Sequence, residues 1–298
     1  MSRVASRSVE GRRTRIVAIT ARYALLVAIS AVFIFPIVFM IVSSLKPDLQ
    51  LLRDTSSFRA FLPVGDVSLS NYADAFERVP ILHFLFNSMF VTLTTLAFGL
   101  FFCSLAGFAF AVPRWPGRGV ILSVIIATFI IPFETIAIPL LLIVNNLPWI
   151  GAEGFTSGWL NSYHVQIIPF IADALSIYLF ATYFRDLPRE LVEAARIDGA
   201  GWWQIYLRVF VPIAGPVFAT AAILKFLAMY NQYLWPLMVA QGERYRPVMV
   251  GLQYFFQLNI AWGEIMAYLT IITVPVLVFY LSLQRAFIES IAASGVKG

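Results

Sequence analysis

The chain has 298 residues, of which 60% are hydrophobic and only 12% are Asp, Glu, Lys or Arg. A soluble domain carries about a quarter charged residues, so roughly half the usual charge is missing and too much apolar surface remains for one soluble globule. These values exclude a soluble enzyme, a disordered chain and a nucleic-acid-binding domain. The net charge of +5 instead indicates basic loops beside a membrane. The single cysteine, Cys103, excludes a disulfide within the chain.

Long apolar runs recur from residue 22 onwards and predict an all-α polytopic membrane protein. A spanning helix needs about 20 mostly apolar residues to cross about 30 Å of hydrocarbon. The first run is too long for a cleavable signal peptide and is predicted to be an uncleaved span. Residues 1–21 and 286–298 are then terminal tails. The six predicted spans lie near residues 22–44, 86–112, 119–143, 164–185, 213–240 and 263–285.

Lysines and arginines are divided unevenly between the two sides of this arrangement. Fourteen lie on the side that holds both termini, six lie on the other side, and Lys225 lies within a span. Because basic loops are retained in the cytoplasm, both termini and the connection 186–212 are predicted to be cytoplasmic. The connections 46–80 and 145–162 are predicted to lie outside.

Sequence patterns for catalysis and cofactor binding are missing. The P-loop pattern for ATP and the G-x-S-x-G nucleophile pattern do not occur. His83 and His164 are far apart and belong to no metal-binding motif. Glu134 and Asp173 lie within predicted spans, but neither has an acid–base partner in the sequence. The chain is therefore predicted to be neither an enzyme nor the holder of a metal or cofactor.

The cytoplasmic connection 186–212 has the pattern of a short helix, a turn and a second helix. Leu191, Ala194, Ala195 and Asp198 share one face at helical spacing. Gly199 is expected to end the first helix in a left-handed conformation, and the second helix is expected to stop before Pro212. An ordinary amphipathic helix at the membrane surface is the alternative interpretation.

The spacing of this segment resembles the EAA loop of ABC importer permeases. The family pattern is E-A-A-x3-G-x9-I-x-L-P, and here Val209 and Val211 replace the Ile and the Leu. The string E-A-A-R-I-D-G-A over 193–200 resembles the carbohydrate-uptake branch, which includes the maltose-type second permease and the glycerol-3-phosphate-type permease. The resemblance implies a coupling helix that docks into a cleft on an ATPase subunit. The residues implied to couple to the ATPase are Glu193, Ala194, Ala195, Asp198, Gly199, Ala200 and Pro212.

Three other stretches and the C-terminus also resemble this branch. Residues 68–72 and 86–88 resemble its first outer loop and the start of its second span, and 231–237, N-Q-Y-L-W-P-L, resembles its fifth span. The C-terminus is similar to the G-A-V-K-G end of the maltose-type second permease. That likeness implies that the tail contacts the ATPase subunits through Gly295, Val296, Lys297 and Gly298.

Polar and aromatic residues within the spans are candidates for the substrate pathway. Charged groups at a helix centre must face protein or water because lipid cannot solvate them, and Pro132 and Pro139 permit an interrupted helix around Glu134. For Glu134, the alternative is a structural carboxylate with a partner. For the aromatic residues, the alternative is a belt at the membrane interface. The candidate pathway residues are Glu134, Lys225, Asn231, Gln232, Tyr233 and Trp235.

The expected function is that of the transmembrane permease subunit of an ATP-driven importer for a sugar or oligosaccharide, in a bacterial inner membrane. The resemblance implies a second homologous permease, two copies of a cytoplasmic ATPase that bind ATP and Mg²⁺, and an extracytoplasmic substrate-binding protein. Membrane lipid surrounds the chain, and no nucleic acid is expected. One alternative cargo is glycerol-3-phosphate or a glycerophosphodiester. The alternative from another class is a secondary transporter that couples ions through Glu134, Asp173 and Lys225.

Overall fold

The computed structural model describes residues 2–151, 154–257 and 260–295. Within these residues, four helices are long and apolar enough to cross a membrane, and two bent pairs of shorter helices bring the number of candidate spans to six. The predicted all-α polytopic fold is confirmed. The α-helices are α1 Ser2–Ser43, α2 Asp48–Asp54, α3 Ser70–Arg78, α4 Ile81–Ala111, α5 Arg118–Thr128, α6 Phe133–Asn146, α7 His164–Ile167, α8 Ala174–Asp186, α9 Glu190–Ile197, α10 Trp202–Ile205, α11 Val211–Ile213, α12 Gly215–Tyr230, α13 Leu234–Val239, α14 Val248–Gly251 and α15 Trp262–Gly295.

The chain divides into two compact units. The first contains the described residues up to Arg78 and those between Phe255 and Ile271. The second contains those between Val79 and Tyr254 and those from Ile272 onwards.

In the first unit, the connection after α1 is folded around a buried lysine. The Lys46 ammonium donates hydrogen bonds to Asp54 Oδ2 at 2.7 Å and to the Arg59 carbonyl at 2.6 Å. Its hydrogen bond lowers the pKa of Asp54 from the ordinary value. Asn71 donates to the carbonyls of Ser44 and Lys46. The predicted outer connection 46–80 thus contains α2 and α3 rather than irregular chain.

In the second unit, α4 and α8 cross closely at a small residue. A Cβ atom at Gly107 would collide with the Cβ of Phe180 on α8. Small residues let the backbones of membrane helices approach, which increases van der Waals contact without any hydrophobic driving force between them. Phe108, Phe184 and Phe210 pack beside the crossing and form its core.

The third predicted span is a bent pair of helices. The helix α5 and the helix α6 meet at an angle of 100° across residues 129–132. The expected interruption occurs at Pro132, which precedes the first residue of α6, whereas Pro139 lies inside α6. A proline is tolerated just before a helix because the first amide groups of a helix lack partners within it.

The fifth predicted span is bent as well, and one prediction for its start is wrong. The helix does not stop before Pro212; it continues to Ile213 and then bends by 80° into α12. A π turn over Tyr206–Phe210 precedes this proline. A π turn has a wider backbone than an α turn, so it relieves the clash between the proline ring and the carbonyl four residues earlier.

The predicted outer connection 145–162 contains a β-hairpin. Its strands are β1 Pro148–Gly151 and β2 Gly154–Ser157, which pair antiparallel with Ile150 opposite Phe155. At its base, the Trp149 ring stacks on the His164 ring, with 3.8 Å between the centroids. The sequence did not predict this hairpin, because its strands are only four residues long and carry no Asn-Gly or Asp-Gly turn.

Candidate functional site: the coupling segment and the charged residues of the spans

We call residues 186–213 the coupling segment; its first helix, α9, ends in a glycine cap that fixes the direction of the chain. Gly199 has φ of +79°, as predicted from its position. The Gly199 amide donates to the Arg196 carbonyl at 3.0 Å, and the Ala200 amide donates to the Ala195 carbonyl at 2.9 Å. These two bonds form a Schellman motif, which satisfies carbonyls that a helix end otherwise leaves open. The turn between the two short helices is therefore set by hydrogen bonds and by one left-handed residue.

The helix α9 is attached to the spans along one narrow face. Val192 and Ala195 pack against the core formed by α4, α8 and the helical segment 202–213. No residue of α9 is buried, and Ile197 is 86% exposed. Of the residues implied to couple to the ATPase, Ala195 and Ala200 are half-buried, and the exposed ones are Glu193, Ala194, Asp198, Gly199 and Pro212.

The second part of the segment is anchored to α4 by a buried hydrogen bond. Tyr206 and Ser104 are joined through their hydroxyl groups at 2.7 Å, and the Tyr206 ring packs on Phe108 with 5.4 Å between the centroids. The amide of Gly201 donates to Gln204 Oε1 at 3.0 Å and steadies the start of α10. Sequence reasoning missed the role of Tyr206, because one tyrosine among apolar residues gives no sign of its distant partner.

The remaining residues implied to contact the ATPase lie at two places. Pro212 lies within the helix that follows the π turn. Gly295 is the last residue of α15. Val296, Lys297 and Gly298 lie outside the described residues, so their predicted contact with the ATPase stays a prediction.

Two of the charged residues within the spans neutralise each other. The Lys225 ammonium lies 2.6 Å from Asp173 Oδ2 and also donates to the carbonyls of Phe170 and Ile171. The side chain of Lys225 is only 4% exposed. Asp173 additionally caps α8 by accepting from the Ser176 amide at 2.8 Å. The pair is therefore part of the structure that holds α8 and α12 in place.

Gly99 on α4 makes the space for this lysine. A Cβ atom there would collide with Cε of Lys225 and would lie 2.8 Å from the Ile171 carbonyl oxygen. Gly99, Asp173 and Lys225 thus form one packed arrangement. The sequence does not predict it, because the three residues are far apart along the chain.

Only some of the candidate pathway residues lie together. Lys225 and Gln232 line one cavity of about 250 Å³. The Trp235 ring is fully buried and its Nε1 donates to the Val165 carbonyl at 2.9 Å, so in this conformation it has no face free to stack on a sugar. Asn231 is exposed at the end of α12, and Tyr233 is partly exposed and accepts a hydrogen bond from Gln253.

Glu134 lies apart from that cavity. It is exposed in the first turn of α6, directly after the bend, where the helix dipole favours a negative charge. No described residue forms an ion pair with it. Its candidate role in the pathway stays a prediction.

A polar cluster lies around Asn87 and Ser88, at the end of α4 away from α9. The sequence analysis noted residues 86–88 as a family motif but did not predict their hydrogen-bond partners. Asn87 on α4 donates to the carbonyls of Arg244 and Arg246 and accepts from the hydroxyl of Tyr163 at 2.7 Å. Ser88 accepts from the Val248 amide. The Asn-Ser pair therefore fixes the connection between the fifth and sixth predicted spans to α4.

Residues 99–292 match the family described as the inner membrane component of binding-protein-dependent transport systems. The match covers more than half of the chain and includes the coupling segment. The chain belongs to this family. It is a multi-pass membrane protein and a permease subunit of a transport system.

Two relatives match the permease over nearly its whole length. It is 30% identical over 278 residues to the arabinooligosaccharides transport system permease protein AraQ of Bacillus subtilis, covering 91% of this chain and 92% of that one. It is 30% identical over 286 residues to the trehalose/maltose transport system permease protein MalG of Thermococcus litoralis, covering 92% and 95%.

Among solved structures, the permease resembles a chain from a bacterial ABC transporter involved in the import of the acidic polysaccharide alginate. The TM-score is 0.73 at 24% identity, covering 92% of this chain and 97% of that one. This likeness confirms the permease fold.

Proposed function

We propose that this permease imports a sugar or oligosaccharide, and that the energy comes from ATP hydrolysed on two copies of a partner ATPase. The observation that carries the proposal is α9, a helix without one buried residue that is nevertheless held rigidly by its Schellman motif and by Val192 and Ala195. Leu191 and Ile197 leave apolar surface exposed on this helix, and a protein partner that covered it would remove that surface from water.

The geometry of the segment suits a mechanical role. A push on α9 is transmitted to α4 and α8 through Val192 and Ala195, and to α4 again through the Tyr206–Ser104 hydrogen bond. Packed helices move as rigid bodies rather than deform continuously. Movement of α9 would therefore shift the second and fourth spans together, as alternating access requires.

The type of cargo is supported by the relatives, whose names specify arabinooligosaccharides and trehalose or maltose. A phosphate-bearing cargo would require an available cation in the spans. Arg22, Arg185 and Arg285 lie at the ends of predicted spans, so Lys225 is the only lysine or arginine in the interior of one. Its charge is already neutralised by Asp173. The pairing therefore favours an uncharged sugar over glycerol-3-phosphate.

The proposed partners are a second homologous permease and an extracytoplasmic binding protein in addition to the ATPases. α9 and both termini would face the cytoplasm of a bacterial cell, and the hairpin β1–β2 would lie outside. Reporters fused after Val112 and after Ser162 should report inside and outside, respectively. A cytoplasmic reporter signal after Ser162 would contradict this orientation.

Uptake of labelled oligosaccharide separates the proposal from ion-coupled transport. Cells depleted of ATP with the membrane potential maintained should lose uptake, whereas a secondary transporter would retain it. Glu193→Lys, which reverses a charge on the exposed face of α9, should lower uptake and co-purification of the ATPase. Arg53→Glu, a charge reversal in the predicted outer connection, is the control and should do neither.

The C-terminal tail is tested separately. Removal of residues 291–298 should leave the complex assembled but reduce the stimulation of ATP hydrolysis by substrate. Unchanged stimulation would show that the tail is a solvated end, as chain ends commonly are.

A further inference from the structure

A cleft of about 450 Å³ opens beside α9, and we call it the arginine cleft. Its lining comes from the end of α4 and the start of α5, from the end of α8 and the turn that follows it, and from the start of α9, with Trp202 and Phe210 added from the second part of the coupling segment. Four of its lining residues are Arg114, Arg118, Arg185 and Arg189, and Glu193 is its single carboxylate.

The positive charge of the four arginines is compensated only in part by the residues that line the cleft. None of the four forms an ion pair with any residue in the described part of the chain. Arg118 donates to the backbone carbonyls of Pro113 and Ala111, which orients its guanidinium but leaves its charge uncompensated. Glu193 offsets one charge, so the cleft retains an excess of positive charge that attracts an anion.

The cleft also lies at a defined level of the membrane. The helix α4 and the apolar stretch His164–Asp186 both end at it. The end of a hydrophobic span marks the boundary between hydrocarbon and headgroups. Phe184, Leu187 and Phe210 supply apolar walls beside the guanidinium groups. The cleft therefore combines a cationic rim with an apolar wall at the depth of the lipid headgroups.

We propose that the arginine cleft binds the phosphate of one anionic phospholipid from the leaflet at which α9 lies. A guanidinium group can form two parallel hydrogen bonds with phosphate oxygens, and basic pockets between spans are suited to lipid headgroups. The apolar wall favours a lipid over free inorganic phosphate, because it can cover the glycerol and the first methylene groups. This inference is independent of the cargo and of the ATPase.

The bound lipid would connect two segments that coupling must move together. Arg114 belongs to the turn after α4 and Arg118 is the first residue of α5, whereas Arg189 directly precedes α9. A phosphate held by both groups would tie the start of α9 to the end of α4. Anionic lipid is therefore expected to set the resting position of the coupling segment.

The test counts lipid on the assembled transporter. Native mass spectrometry of complexes extracted from membranes of phosphatidylcholine and phosphatidylglycerol would compare the wild type with Arg114→Gln/Arg189→Gln. The matched control is Arg208→Gln/Arg285→Gln, which removes two exposed arginines that do not line the cleft. Arg118 is left intact because its backbone hydrogen bonds hold the turn.

The wild type and the control should each retain one more phosphatidylglycerol per chain than the cleft variant. Each arginine near an anionic surface contributes about 1 kcal/mol, so the two removals should weaken phosphatidylglycerol binding about 30-fold. Equal retention in all three proteins would overturn the proposal. So would loss of the ATPase from the cleft variant without loss of lipid, since the cleft would then hold an acidic surface of that partner.

A second arm separates lipid from soluble phosphate. Inorganic phosphate added to wild-type complexes in phosphatidylcholine should not protect the cleft arginines from phenylglyoxal, whereas phosphatidylglycerol should protect them. Equal protection by both anions would overturn the assignment to a lipid.

Discussion

Two charged regions of the second unit are built in opposite ways. Around Lys225, the cation is 4% exposed and hydrogen-bonded to Asp173 and to two backbone carbonyls, so its charge is used to hold helices together. Around α9, Glu193 and Asp198 are exposed and no residue of the helix is buried. The charge of Lys225 thus has a structural partner inside the fold, whereas the fold leaves the charges of α9 uncovered.

The largest expected effect concerns the buried pair. Lys225→Met should destabilise the protein by about 3 kcal/mol, because it removes the cation of Asp173 and the hydrogen-bond donor of the Phe170 and Ile171 carbonyls. The partial exposure of Asp173 to solvent keeps the cost at the low end of the range for a broken buried pair. Lys225→Met/Asp173→Asn should recover most of the loss, since the asparagine can still cap α8. The midpoint of thermal unfolding in detergent measures both. If Lys225→Met were as stable as the wild type, Lys225 would not hold α8 and α12 together, and the two regions would not differ in this respect.

The space for the lysine provides the next test. Gly99→Ala should cost about 1–3 kcal/mol, because the added methyl group overlaps the Lys225 side chain and the Ile171 backbone. Gly119→Ala is the matched control, since no atom lies within 4 Å of its added Cβ. Thermal midpoints should fall for the first variant and hold or rise for the second. Equal midpoints would show that α4 and Lys225 are not tightly packed.

Substitutions at the end of α9 should lower uptake more than they lower the stability of the permease. Gly199→Ala imposes about 1–2 kcal/mol of strain, because its φ of +79° is disfavoured for any residue with a Cβ. Uptake should drop sharply while the amount of permease in the membrane stays unchanged. Gly201→Ala is the control, because Gly201 has φ of −77° and open space around it. Equal uptake by both variants would mean that the direction of the turn does not matter for transport.

The smallest effect is expected where the coupling segment is anchored to the spans. Tyr206→Phe removes the hydrogen bond to Ser104 and should cost about 1 kcal/mol, limited because Ser104 still donates to the Phe101 carbonyl. Tyr183→Phe removes an exposed bond to the Ile213 carbonyl and should cost less. Chemical denaturation of the two variants compares them. A larger loss of stability in Tyr183→Phe than in Tyr206→Phe would show that the bond to the Ile213 carbonyl holds the coupling segment more strongly than the bond to Ser104.

The sequence predicted those features that depend on local patterns. Long apolar runs predicted the spans, and the spacing of Gly199 after the alanines predicted both the helix end and its left-handed residue. The contacts of the charged and polar residues, by contrast, join positions that are far apart in the sequence. Lys225 meets Asp173 across 52 positions and Tyr206 meets Ser104 across 102, and such pairings depend on how helices cross.

The same distinction explains what the sequence did not show. Trp235 is of a residue type that can stack on sugars, and its role in the pathway stays a prediction, but packing with Phe133 and Phe170 buries its ring. Pro212 is a strong local signal for a helix end, yet the π turn before it lets the helix continue. In both cases a local preference was overridden by contacts or backbone geometry that a linear pattern does not contain.

The bend between α5 and α6 has a consequence for how the chain is made. These helices have 11 and 14 residues, and a single helix needs about 20 to cross the bilayer. Neither helix alone is therefore long enough to span the bilayer in the finished fold. Leu122 of α5 packs in a core that includes Phe180 of α8. During synthesis, the bent pair can therefore reach its final packing only after α8 has left the ribosome.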